Sequence, residues 1–177
     1  KIYNEEDDHP DVPDEYGMAG WMAGDAFTYI YDRYDIWQVD PSGKKAPVCF
    51  TGGGGRKEKI RFRYLRLDPE EKYFSPGGKL WLTAFQDSTK YNGFYVQDIP
   101  RKNGKIKAPV QMALGPYSYT DLHKAKAAAA FTYTRARYEL SPDVFSGDDI
   151  AKAIQISHTN PQQQQYKWGT AELYKWT

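Results

Sequence analysis

An all-β fold is what this sequence predicts, on three observations. Aromatic residues make up 16% of the chain, with 15 Tyr and 5 Trp. Flat rings with a polar tip suit half-buried pleated surfaces. Apolar and polar residues alternate over short runs bounded by Gly, Pro, Asp and Ser, as strands and their turns do. Those runs recur in the same order, so the chain reads as a loosely repeated unit.

Residues 1–18 form an acidic lead-in holding Pro10 and Pro13, expected to be irregular. The first unit, residues 19–55, places a strand at Phe27 to Tyr31, a polar turn at Asp32 to Tyr34 and a strand at Asp35 to Asp40. The turn Pro41 to Lys44 leads to an outer strand, Ala46 to Thr51, and the glycine run 52–55 closes the unit. The second unit, residues 56–120, starts with an alternating strand at Ile60 to Leu67 and has turns at Asp68 to Glu71 and Ser75 to Gly78. Leu80 to Phe85, Gly93 to Asp98 and Ala108 to Ala113 match the three strands of the first unit, down to a second Ala-Pro-Val. The third unit, residues 121–177, is fainter: strands at Ala127 to Thr134, Asp143 to Asp148 and Ile150 to Ser157, with Trp168 to Trp176 opening another. The alanines of Lys124 to Ala130 favour a helix by propensity. The run is short and leads straight into Phe131, so it reads as a turn into a strand. Gln162 to Gln165 after Pro161 reads as a loop.

The matched positions Asp40, Asp98 and Asp148 recur at intervals of 58 and 50 residues, at or slightly above the ~40–50 residues of a propeller blade. A four-stranded blade has two faces to cover, and stacking on its neighbours covers them. The expected architecture is therefore a partial β-propeller of about three four-stranded antiparallel blades.

Bulk properties exclude several classes. The net charge is +1, so no field of one sign exists to gather nucleic acid or an anionic membrane. Arg56, Lys57, Lys59, Arg61, Arg63 and Arg66 cluster, but they alternate with Ile60, Phe62 and Tyr64 and read as the solvated face of a strand rather than a phosphate track. Cys49 is the only cysteine, which excludes an internal disulfide and a cysteine metal cluster; within Val48-Cys49-Phe50 it reads as a small core residue. No run approaches the ~20 apolar residues of a membrane span, and no signal peptide is recognised. The chain opens at Lys1 and closes on strand-like Tyr174 to Thr177, so it is read as a segment of a longer protein.

The stretches "YDRYDIWQVDPSGKKAPVCFTGG" (Tyr31 to Gly53), "GRKEKIRFRYLRLDPEEKYF" (Gly55 to Phe74) and "NPQQQQYKWGTAELYKWT" (Asn160 to Thr177) resemble the propeller of the prolyl oligopeptidase and dipeptidyl-peptidase-like serine peptidases, in the form of their large bacterial members of Bacteroidetes type. The resemblance implies that the chain is the C-terminal part of the propeller, followed in the parent by an α/β-hydrolase domain with a Ser-His-Asp triad. It also implies a periplasmic or extracellular setting and a role in gating or orienting peptide substrate. The partners it implies are a peptide, the hydrolase domain and the remaining blades, together with self-association through exposed blade edges.

No residue of the chain itself carries catalysis in this reading. The nucleophile elbow G-x-S-x-G is missing from the sequence. Ser42, Ser75 and Ser141 sit in turn-like places, and His9, His123 and His158 lie in separate loops. Glu5, Glu6, Asp7, Asp8 and His9 offer metal-ligand types but no calcium-loop spacing, and read as a solvated acidic linker. Gly52 to Gly55 before Arg56 and Lys57 lacks the phosphate-loop order and reads as a flexible connection. No cofactor and no metal is expected. Arg33 falls at the tip of the hairpin between strands two and three, and Arg135 and Arg137 hold a similar place in the third unit. Since family members hold a peptide terminus or carbonyl with propeller Arg or Glu residues, these three are the candidate substrate-binding residues. For Arg33 the plainer alternative is an ion pair with Asp32 or Asp35. A rival reading is a stand-alone β-rich module that binds protein or glycan on Trp21, Trp37, Trp81 and Trp168. A complete small enzyme rests on no motif.

Overall fold

The computed structural model describes residues 1–101 and 104–176. The chain builds three four-stranded antiparallel sheets, one after another. The first holds β1 (Met18–Trp21), β2 (Thr28–Tyr31), β3 (Ile36–Val39) and β4 (Val48–Cys49). A single helical turn, α1 (Gly54–Glu58), leads to the second: β5 (Ile60–Tyr64), β6 (Lys79–Gln86), β7 (Asn92–Asp98) and β8 (Val110–Gly115). The third comprises β9 (Ser118–Lys124), β10 (Phe131–Arg137), β11 (Leu140–Gly147) and β12 (Ile154–Gln155). In each sheet every strand pairs with its sequence neighbour. This is the simplest topology for tight turns, because antiparallel strands need no crossover.

Local chemistry sets the turns. The Asp32 carboxylate accepts the N–H groups of Tyr34 at 2.7 Å and Asp35 at 2.6 Å, closing the β2–β3 hairpin. Asp40 accepts the Ser42 N–H at 2.8 Å in the β3–β4 turn, where Gly43 takes φ 71°. Such side-chain acceptors stand in for backbone ones and define the bend.

Register then decides which side chains meet. Tyr29, Tyr31 and Ile36 point from the first sheet to the second, which answers with Ile60, Phe62, Leu80, Leu82, Ala84 and Tyr95; Phe50 and Phe74 complete this core. Tyr29 meets Phe50 and Phe74 edge-on, with ring centroids 4.9 and 5.3 Å apart. The opposite face of the second sheet sends Phe94 and Trp81 to a second core with Leu122, Phe131, Tyr133, Phe145 and Ile150. The middle sheet is thus covered on both faces. Accordingly β7 is buried continuously from Gly93 to Gln97 instead of alternating. A Cβ at Gly93 would fall 1.9 Å from the Ala113 carbonyl oxygen, so only glycine allows β7 and β8 to approach there.

The outer edges differ. Pro47 and Pro109 stand directly before β4 and β8, where a missing N–H blunts pairing with another chain. β12 has no such proline, and Ile154 is exposed.

Several expected elements are corrected. β1 and β9 are strands that the sequence pattern does not show. β10 begins at Phe131, not Ala127, because Ala125 N–H bonds back to Ala130 O and the alanines form the turn. The outer strand expected at Ile150 to Ser157 starts with a 3-10 turn, Ile150–Lys152, capped by Asp149, and only Ile154–Gln155 pair. Trp168 to Trp176 forms no strand; Trp168 is tied to the β10–β11 hairpin by its indole N–H on Tyr138 O at 2.9 Å. Thr177 lies outside the described residues. Among the described residues no helix is long and apolar enough to cross a membrane.

Candidate functional site

The hairpins between second and third strands, together with the connections between sheets, gather the arginines. Three of the sequence candidates lie here, and their surroundings differ.

In the first sheet, Arg33 extends from the β2–β3 hairpin to Glu6 at 2.6 Å and to Asp87, on the β6–β7 hairpin, at 3.4 Å. Its ion pairs are therefore with the lead-in and the neighbouring sheet, not with Asp32 or Asp35. Asp87 also accepts from the Tyr34 hydroxyl at 3.2 Å and from Arg61 Nε at 2.7 Å. Burial alone would raise the Asp87 carboxyl, but Arg61, Tyr34 and Arg33 outweigh it and hold it below the usual carboxylate range.

Asp32 and Asp35, both buried, are spent on structure. Besides its two backbone bonds, Asp32 accepts from the Trp37 indole at 3.1 Å and from Arg56 at 3.1 Å. Desolvation pushes its carboxyl up, yet the combined donors bring it below its ordinary value. Asp35 accepts from the Thr51 hydroxyl at 2.6 Å and from the N–H groups of Gly55 and Arg56 at 3.1 and 2.9 Å. The glycine run is thus not a flexible connection. It opens α1, and the chain's own carboxylate fills the place an anion would take at that helical start.

Two further readings change. Glu5 is largely withdrawn from solvent on Arg56, and Glu6, though exposed, is held by Arg33, so the acidic stretch is docked rather than free. Arg63 is not on a solvated face: it donates to Phe62 O at 2.7 Å and Arg33 O at 3.2 Å and lies 4.7 Å from the Tyr31 ring centroid. Burial pulls its guanidinium below the usual value. Asp7, Asp8 and His9 do bring their ligand atoms together, on an exposed loop where Asp7 already accepts the His9 N–H at 2.9 Å. Cys49 is half-buried and accepts the Gly53 N–H at 3.1 Å, and burial pushes its thiol up.

In the third sheet, Arg137 pairs with Glu139 at 3.1 Å. Arg135 sits between rings, its guanidinium carbon 3.9 Å from the Phe145 centroid and 4.6 Å from that of Tyr117. Sequence reasoning found Arg135 but missed Tyr117, which sits in the β8–β9 connection. Its only sequence signal is an aromatic residue after Pro116 in a turn. Ser157, Asp143 and His158 are neighbours, but the Ser157 hydroxyl donates to Asp143 at 2.7 Å and His158 meets Gln155. A triad needs the serine on the imidazole, so this arrangement does not activate a nucleophile.

At the opposite end of the sheets, a cleft of about 830 Å³ is lined by Leu65, Leu67, Glu71, Tyr73, Trp81 and Lys126, among others. Trp81 leans on Phe131, with centroids 5.2 Å apart, so one part of the ring packs and another faces the cleft. Trp37 is tied to Asp32 as described, Trp168 is about half exposed, and Trp21 is partly buried.

Compared with known proteins, the chain matches no family model, no curated protein and no solved structure. The fold defines an all-β protein of three successive four-stranded meanders.

Proposed function

We propose that the chain is a non-catalytic β-propeller segment of a prolyl oligopeptidase-type serine peptidase, which gates or orients peptide substrate for an α/β-hydrolase domain elsewhere in the parent. The observation that carries this reading is the repetition itself. Three four-stranded meanders follow one another, and consecutive ones share a core. A stack built this way ends in faces suited to further sheets: on the face of the first sheet turned from the second, Met18 is exposed and Ile30 and Trp37 are only partly buried. The sequence resemblance supplies the peptidase half of the proposal. Arg135 and Arg137 would then face the substrate's path at the end where sheets connect, and Arg33 would reach it by exchanging Glu6 or Asp87 for the peptide.

The coding sequence that follows Thr177 tests it. A G-x-S-x-G within an α/β pattern supports the proposal, and a downstream frame without one overturns it. In the intact parent, Arg33→Ala would raise KM for peptides; an unchanged KM removes Arg33 from the site.

A second reading, a stand-alone module that binds protein or glycan, is favoured by one feature, the Trp81-lined cleft. Trp81→Ala abolishing glycan or peptide binding by the 177-residue chain would support it.

A further inference from the structure

Arg135 differs from its neighbours in what it lacks. Arg33, Arg56, Arg61 and Arg137 each meet a carboxylate, and Arg63 and Arg66 donate instead to backbone carbonyls. Among the described residues no carboxylate lies within ion-pair distance of Arg135. The omission is not forced by distance along the sheet, because Asp143 is its direct cross-strand partner. Opposite charges in such a register ordinarily pair. Here the Asp143 carboxylate is turned to the Ser157 hydroxyl at 2.7 Å, the Thr159 N–H at 2.9 Å and the Gln155 amide at 2.9 Å.

What holds Arg135 instead is a clamp. Phe145 and Tyr117 cover the guanidinium, and the β9 partner Tyr119 lies on the same face. Burial pushes the Tyr119 hydroxyl up, and the Arg135 charge and one Arg135 N–H turned towards that hydroxyl work against it. Rings against a guanidinium stabilise its charge and restrict its motion, and a guanidinium's five N–H donors leave several available beside a single neutral hydroxyl. A planar carboxylate matches a guanidinium edge with two parallel hydrogen bonds. Tyr117 also lines a cleft of about 630 Å³ with Ser88, Thr89, Ser118 and Leu173, whose charged lining residues are Lys90 and Lys175. A ligand extending from the clamp would meet hydroxyls and cations there.

We propose that Arg135, clamped by Phe145 and Tyr117, is a recognition site for an organic carboxylate. That the carboxylate belongs to a peptide, at its C-terminus or on an acidic side chain, rests on the function proposed above; the carboxylate chemistry does not.

The test uses the 177-residue chain and three probes: N-acetyl-glycyl-glycine, its C-terminal amide, and sodium acetate. Binding is followed by the Arg135 Nε–H resonance in the unaltered chain and in Tyr117→Leu, and by titration calorimetry in these and in Arg135→Lys. The acid should shift that resonance saturably and the amide should not. Acetate binding about tenfold more weakly than the peptide acid identifies a peptide carboxylate; equal binding identifies a small free carboxylate. Arg135→Lys should weaken the acid about tenfold, because an ammonium offers no planar fork. Tyr117→Leu keeps the guanidinium and removes one jaw, and should weaken it severalfold. Far-ultraviolet circular dichroism checks that both variants fold. If Arg135→Lys does not fold, the acid–amide contrast and Tyr117→Leu decide. Equal binding of acid and amide, no binding of either, or unchanged binding by a folded Arg135→Lys overturns the proposal. A downstream frame without a hydrolase would defeat the peptidase reading while leaving this measurement intact.

Discussion

The β2–β3 hairpin of the first sheet and the β10–β11 hairpin of the third use the same parts. Each surrounds one tyrosine ring with two guanidiniums: Tyr34 with Arg33 and Arg56 at 5.0 and 5.4 Å, Tyr117 with Arg135 and Arg137 at 4.6 and 5.6 Å. In the first, both cations are neutralised, Arg33 by Glu6 and Asp87, Arg56 by Glu5 and Asp32. In the third, only Arg137 finds an acid, Glu139. A neutralised network fastens the lead-in and α1 to the sheet. A clamped cation with no carboxylate beside it keeps donors for a ligand. The same residue types therefore serve structure in one sheet and availability in another, and the counter-ions decide which.

The contrast breaks most visibly at Asp32. Asp32→Ala removes the acceptor of two backbone N–H groups, the Trp37 indole and Arg56 at a buried position. The expected loss is about 3 kcal/mol or more by urea denaturation. A loss under about 1 kcal/mol would show that the hairpin stands without this network.

Acid should separate the two hairpins next. Asp32 and Asp87 are held below their ordinary values in the folded chain. A depressed folded value contributes stability above the unfolded pKa of ~3.9 that is lost as pH falls through the folded one. The Trp37 indole resonance should therefore move below about pH 4. The Arg135 Nε–H resonance, with no carboxylate within ion-pair distance, should move far less over the same range. Equal movement would mean that the clamp senses an acid after all.

Smaller effects sharpen the comparison. Arg33→Ala should cost about 0.5–1 kcal/mol, because Asp87 keeps Arg61 and Tyr34 and both Arg33 pairs are partly solvated. Arg135→Met should change stability by less than about 0.5 kcal/mol, since it orphans no carboxylate and a thioether packs well against rings. A substantial loss from Arg135→Met would make the clamp a structural device.

Much of the fold was legible along the chain, and the exceptions are instructive. β2, β3, β5 and β6 follow from alternation and turn residues, since Tyr29, Ile36, Phe62 and Leu82 must all reach one core, and β7 follows from its match to β3. β1 contains Ala19 and Gly20, and β9 buries only Leu122 of Ser118–Lys124. One is short and without alternation and the other has few apolar positions, so their place in a sheet comes from the neighbour they pair with. The arginines of the site were visible as residues. The acids that bind the first sheet's arginines lie far off in sequence, with Arg33 and Asp87 separated by four strands.

Composition, alternation and turn chemistry by themselves determined that this is an all-β chain, and they set the order of most strands, because each is a local property of a few residues. Tertiary structure alone decided that Asp35 would close the glycine run, that Asp143 would turn from Arg135 to Ser157, and that Tyr117 would reach over to cover the vacated guanidinium. Those outcomes depend on which groups compete for one donor in space, and competition between distant partners leaves no trace in a local pattern.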